Sequence, residues 1–180
     1  MELLTIENPK SESSQDWDLT QIINGKEIEM PSPLTNHQKI SRLLQKFFEK
    51  FIEENQLGEI FNAPLDVILE EGVNRVQPDL IFVSKNNYSI IQDWIRGVPD
   101  LLVEVVSKGS FYIDTIDKKE IYQKYGVKEY WIVFPEYDTI EVYSLENQSF
   151  KLFSRGTDEE IVKSKLLAGL EIKPISVTKI

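Results

Sequence analysis

The sequence predicts an α+β (α/β) fold, a central mixed β-sheet flanked by helices. Three observations carry this. One long segment repeats its apolar residues with helical period, and several short runs rich in Val, Ile, Phe and Tyr are bounded by turn residues. A second, shorter helical stripe then falls between two apolar strand runs, the order expected where a helix packs back on its own sheet.

In chain order, residues 8–16 (NPKSESSQD) are polar and read as the end of a flexible N-terminal arm over 1–16. Residues 17–180 read as one domain, a usual size for one hydrophobic core. The helix runs from Thr35 to Asn55: Ile40, Leu43, Leu44, Phe47, Phe48, Phe51 and Ile52 fall on one helical face, and Gly58 lies just past a natural end. Glu59–Leu69 reads as a strand, with Ala63-Pro64 marking an edge or bulge because proline has no N–H to donate. A turn over Glu70–Asn74, with Gly72, leads into a strand over Val76–Val83. Residues 84–97 form a polar connection with a helical turn at Ile90–Ile95. Val98–Val106 (VPDLLVEVV) is a strand, Ile113–Tyr125 a helix capped by Gly126, and Tyr130–Phe134 and Thr139–Leu145 two strands joined by Pro135–Asp138. A short strand near Phe150–Ser154 and an edge strand with irregular packing over Glu159–Ile180 complete the reading.

Composition narrows the chemistry. Nine Phe, seven Tyr and three Trp suffice for a packed core. There is no Cys and a single His, which excludes disulfide scaffolds, thiol catalysis, and thiolate or His-rich zinc sites. No apolar run is long enough to span a membrane, and MELLTIENPKSES lacks a basic region followed by an apolar stretch, so a cytoplasmic protein is expected. Lys and Arg number 20 against 30 Asp and Glu, and the net charge of −10 argues against a polyanionic partner unless a local basic surface overrides it. Arg96, Lys118, Lys119, Lys124 and Lys128 are the candidates for such a surface.

Glu104 is out of place inside LLVEVV, because a buried carboxylate costs several kcal/mol unless a cation, a donor cluster or water meets it. The alternative is that its face of the strand opens to solvent. Asp79 bears on this choice. If Val76–Val83 and Val98–Val106 pair antiparallel with Val83 opposite Asp100, Asp79 lies directly opposite Glu104. Facing carboxylates repel, and oxygen ligands without His or Cys favour Mg²⁺ or Mn²⁺. Asp100 is a competing acid two pleats away on the same face. Asp114, Lys118 and Tyr122 share a helical stripe able to aim Lys118 at the carboxylates, against the simpler reading of an exposed Asp–Lys pair. His37, near the start of the first helix, is a candidate cap or phosphate ligand, although such a residue more often only packs.

With these residues in place, the sequence resembles the Uma2 family, also called DUF820, a group of restriction-endonuclease-like proteins. The resemblance lies in QPDLIFV, then VPDLLVEVVSK, then D-x-x-x-K-x-x-x-Y-x-x-x-G-V-x-E-Y-W-I-V at Asp114–Val133. It extends to WDLTQIINGKEIEMPSPLTNHQKI, with Gly25, Glu29, Pro33 and His37 in register, and covers roughly 17–172. It implies the PD-(D/E)XK nuclease fold, with Asp79 and Glu104 as the metal-binding acids, the Val105 carbonyl as a further ligand, and Mg²⁺ (or Mn²⁺) as cofactor. Val106 stands where that motif carries its lysine, so the lysine role passes to Lys118, with Lys108 and Lys119 as alternatives. Glu29 is a further candidate carboxylate. Where the family usually reads Ser-Pro-Ser after the glutamate strand, this chain has Ser107-Lys108-Gly109-Ser110, and Phe134 replaces a frequent Asp. The implied function is metal-dependent hydrolysis of phosphodiester bonds in nucleic acid, DNA above RNA, by a homodimer. The alternatives are a non-catalytic or regulatory nucleic-acid- or protein-binding module that keeps the nuclease fold, and a structural dimerisation domain.

Overall fold

The computed structural model describes residues 19–179; the expected N-terminal arm lies outside the described residues. In chain order the elements are β1 (Thr20–Ile23), β2 (Lys26–Glu29), α1 (Thr35–Asn55), β3 (Gly58–Asn62), β4 (Val67–Glu70), β5 (Asn74–Val76), β6 (Leu80–Ser84) and β7 (Ile95–Arg96). There follow β8 (Leu101–Val105), α2 (Lys118–Tyr125), β9 (Glu129–Phe134), β10 (Thr139–Glu146), β11 (Ser149–Thr157), β12 (Val162–Lys163), β13 (Glu171–Ile172) and α3 (Ile175–Thr178).

Six strands form the main sheet in the order β11-β10-β9-β8-β6-β3. All its pairings are antiparallel except β8 with β9. A parallel pair needs a crossover, which α2 supplies. Period-two alternation sends Leu80, Phe82, Leu101, Val103, Val105, Trp131 and Val133 to one face, where they meet Ile40, Leu44, Phe48 and Ile52 of α1. Each of those four helix side chains is essentially inaccessible, a burial worth about 1.5–3 kcal/mol apiece. Ile81, Val83, Leu102, Val106, Tyr130 and Ile132 point to the opposite face, against Ile121 and Tyr122 of α2 and against Ile23, Val67 and Val76. Those last three belong to a second, five-stranded sheet, β2-β1-β5-β4-β7. The mixed α+β architecture is as expected, and among the described residues no helix is long and apolar enough to cross a membrane.

Three local expectations are corrected. The strand expected over Glu59–Leu69 is two strands in different sheets, divided at Ala63-Pro64, where the ladder loses a donor. The strand over Val76–Val83 likewise divides, β5 joining the small sheet and β6 the large one, with Pro78 at the break. The first turn of the helix expected over Ile113–Tyr125 is a π-turn (Ile113–Asp117) preceding α2, and Tyr130 Oη donates to the Asp114 carbonyl at 2.8 Å. The hairpin β1–β2 is additional. Its turn, Asn24-Gly25, has both residues at positive φ (52° and 76°), the type I′ geometry that this dipeptide favours.

Candidate active site

Strand β6 pairs antiparallel with β8 through Leu80↔Val103, Ile81↔Leu102 and Phe82↔Leu101. Continued one residue, this register sets Asp79 opposite Glu104, on the sheet face covered by α2. The Val105 N–H then donates to Asp79 Oδ2 at 2.7 Å, holding that carboxylate against the end of β8. Both acids are buried, Asp79 at 8% and Glu104 at 3% exposure.

Helix α2 crosses over them. Lys118 Nζ lies 2.9 Å from Glu104 Oε1 and 3.2 Å from Asp114 Oδ1, and Tyr122 Oη donates to Glu104 Oε1 at 2.8 Å. Lys118 is 1% exposed, so its ammonium faces the acids and not solvent. From the other side of the sheet, the first turn of α1 brings His37 Nε2 to 3.2 Å from Asp79 Oδ2, while its buried Nδ1 has no hydrogen-bond partner among the described residues. Three carboxylates (Asp79, Glu104, Asp114) thus surround one permanent cation and one imidazole.

The electrostatics follow from that imbalance. Burial drives the Glu104 carboxyl up and the Asp114 and Asp79 charges add to this, so that despite Lys118 it is pushed up to about 8. Burial works against the Lys118 ammonium, but Glu104 and Asp114 outweigh it and hold its pKa above the ordinary lysine value. Burial, then the charge of Glu104, raises Tyr122 well above a free phenol, so it stays protonated and donates. For His37 burial lowers the pKa, but the hydrogen bond and charge of Asp79 prevail and the net shift is upward.

The remaining candidates stand apart. Asp100 sits at the opposite end of β8, four residues and about 13 Å from Glu104. Its carboxylate accepts from the Ser84 N–H (2.8 Å), Asn87 Nδ2 (3.2 Å) and Lys128 Nζ (2.6 Å). Glu29 is exposed in β2 and makes no hydrogen bond or ion pair to the cluster. Lys108 is exposed and pairs with Glu136 at 3.4 Å, and Lys119 stands over the Tyr143 ring, so neither approaches Glu104. His37 is the residue whose place the sequence signalled least. Its partner, Asp79, lies 42 positions away, a contact invisible to local pattern.

Among the described residues no three His, Asp or Glu side chains converge on a single point as a closed metal cage. The donors left open are one oxygen on each strand acid. Asp79 Oδ2 takes Val105 and His37, and Glu104 Oε1 takes Lys118 and Tyr122, while Asp79 Oδ1 and Glu104 Oε2 receive no donor among the described residues. Two carboxylate oxygens without a donor, in an acidic site, suit a hard divalent cation.

Comparison with known proteins bears on this geometry. The Uma2 family model, described as "Putative restriction endonuclease", matches residues 2–178. The crystal structure of a putative nuclease belonging to DUF820 from Anabaena variabilis superposes with a TM-score of 0.72 at 19% identity, covering 89% of each chain. At that identity it establishes a shared fold. No curated protein matches the chain.

Proposed function

This chain belongs to the Uma2 family, described as putative restriction endonucleases, and from that premise we propose that it hydrolyses phosphodiester bonds in nucleic acid with the help of Mg²⁺ or Mn²⁺. The observation that carries the reading is the convergence of Asp79, Glu104 and Lys118, from two paired strands and the helix that crosses them, at the end of β8. Asp79 Oδ1, Glu104 Oε2 and the Val105 carbonyl are the atoms that would hold the ion. Once bound, it would lower the pKa of a coordinated water and offset charge on the phosphate.

The protein's own groups have separable tasks. Lys118, kept cationic by its carboxylate neighbours, orients the attacking water and stabilises negative charge as it grows on the phosphoryl oxygens. Its raised pKa makes it a donor and not a base. Tyr122 and Lys118 together fix one oxygen of Glu104, leaving the other free. Asp114 anchors Lys118 one helical turn away, and His37 with the Val105 N–H fixes Asp79. Asp100 and Glu29 have no part in this scheme.

The test is cleavage of DNA and RNA in Mg²⁺ or Mn²⁺ by the wild type and by Asp79→Ala, Glu104→Ala and Lys118→Ala. Each substitution is expected to abolish cleavage; activity surviving all three overturns the assignment. Calorimetry separates catalysis from a binding module that keeps the fold. Mg²⁺ binding that disappears in Asp79→Ala supports the catalytic reading, and no binding by the wild type favours the module.

A further inference from the structure

A protein of net charge −10 must offer a local cationic surface if it is to hold a polyanion. The cations that the sequence nominated do not make one. Lys118 is buried, Lys128 is bound to Asp100, Arg96 pairs with Glu71, Lys119 is occupied by Tyr143, and Lys124 is exposed but stands alone beside the Tyr125 ring. Many other exposed cations are likewise neutralised in pairs, Lys163 with Glu171, Lys165 with Glu146, and Lys173 with Glu159.

Helix α1 differs. Lys39, Arg42 and Lys46 recur at i, i+3 and i+7, so they share one stripe. All three are exposed, and none has a carboxylate within ion-pair distance among the described residues. Lys39 and Arg42, with Thr35, Gln38, Gln45 and Asn62, line a cleft of about 510 Å³ between α1 and the end of β3. Ala63, also in its wall, donates its N–H to the Asp79 carbonyl at 3.1 Å, and one turn of α1 carries both His37 and Lys39. One wall of the cleft is therefore tied to the backbone of Asp79, the residue just before β6. Beyond Lys46 the helix surface turns acidic at Glu49, Glu53 and Glu54, which bounds the basic stretch to about 10 Å of helix.

We propose that this cleft is the track for the sugar–phosphate backbone of the nucleic-acid substrate, leading the strand to Asp79. Lys39, Arg42 and Lys46 contact successive phosphates, and the amides of Gln38, Gln45 and Asn62 donate to phosphate or sugar oxygens without reading sequence. The proposal rests on the nuclease reading for its choice of polyanion, but its test is a binding measurement.

Fluorescence anisotropy of labelled DNA and RNA oligonucleotides, titrated at several salt concentrations in the Glu104→Gln background, reads the track directly. Three phosphate contacts predict a slope of log K against log salt of about −2 to −3, flattened by about one in each of Lys39→Ala, Arg42→Ala and Lys46→Ala. The triple variant is expected to lose most affinity, whereas Lys85→Ala and Lys151→Ala, exposed cations elsewhere, leave slope and affinity unchanged. A triple variant that binds with full affinity and slope overturns the track, as does a wild type that binds neither DNA nor RNA. Equal binding to anionic phosphatidylserine vesicles also overturns it, since the cleft would then attract anions indiscriminately. Wild-type cleavage with an unaffected triple variant would leave the nuclease reading standing and remove the track. Track-dependent binding by a wild type that never cleaves would do the reverse.

Discussion

Glu104 and Glu129 are two buried glutamates on neighbouring strands of one sheet, at opposite ends and on opposite faces, and they are treated in opposite ways. Glu129 accepts from Trp131 Nε1 (2.8 Å), Ser164 Oγ (2.5 Å), and the N–H groups of Lys165 (2.7 Å) and Leu166 (2.8 Å). Both of its oxygens are satisfied by neutral donors, and it ties the loop before β13 to the start of β9. Glu104 receives two donors on a single oxygen, faces two further carboxylates, and keeps its second oxygen open. A buried acid with a full set of donors is an element of structure. A buried acid left short of donors, among like charges, is poised for a ligand that the protein does not itself supply.

Substitutions at the two positions should therefore separate activity from stability. The largest expected effect is on catalysis. Glu104→Gln should cut metal-dependent cleavage by about 10³-fold while leaving the unfolding midpoint in urea unchanged or higher, because the amide oxygen can still accept from Lys118 and Tyr122. Glu129→Ala should do the opposite, costing about 3–5 kcal/mol as several buried donors lose their acceptor, read as a lower urea midpoint. Loss of cleavage without loss of stability at Glu129 would dissolve the distinction.

Metal should act on one region alone. At a hundredfold excess over its Kd, Mg²⁺ is expected to stabilise the wild type by about 2.7 kcal/mol, equivalent to a Tm rise of several degrees. That rise should vanish in Asp79→Asn and persist in Glu129→Gln.

The smallest effect concerns Asp100, which shares β8 with Glu104 but resembles Glu129 in its satisfied donors. Burial pushes its carboxyl up, but Lys128, the Ser84 N–H and Asn87 outweigh that and hold it below the ordinary aspartate value of 3.8. A depressed folded-state pKa contributes stability above the unfolded value, lost as pH falls through the folded one. Asp100→Asn should thus flatten the acid limb of the stability–pH curve below about pH 4 and leave cleavage at neutral pH intact. An unchanged acid limb would show that those donors do not hold the carboxylate in solution.

Much of the candidate site was legible because its residues break a pattern. Glu104 interrupts an apolar strand, and Asp114, Lys118 and Tyr122 recur at helical spacing, so both could be noticed without coordinates. The pairing of Asp79 with Glu104 also follows from strand lengths once Val83 is set against Asp100, which is the register observed. His37 carries no such signal, because nothing within several residues of it points to Asp79. The β1–β2 hairpin has a local signal too, in Asn24-Gly25 between two strand-like runs. Elsewhere the divisions at Ala63-Pro64 and Pro78 mark places where a donor is lost without saying which sheet each half will join.

The local pattern of the chain sets the periodicities, and with them α1, α2, most strands of the main sheet and the face each side chain takes, because helical and strand repeats are local properties. It also determined that any metal would be met by oxygen, since the chain holds no Cys and a single His. Three-dimensional packing settles which charges find partners. It buries Lys118 against Glu104, withdraws Asp100 to Lys128, brings His37 around the sheet to Asp79, and leaves Lys39, Arg42 and Lys46 without a carboxylate partner among the described residues, the first two lining the cleft. Charge pairing acts over a few ångströms between groups far apart in sequence, and burial sets its strength. No window of sequence contains either quantity.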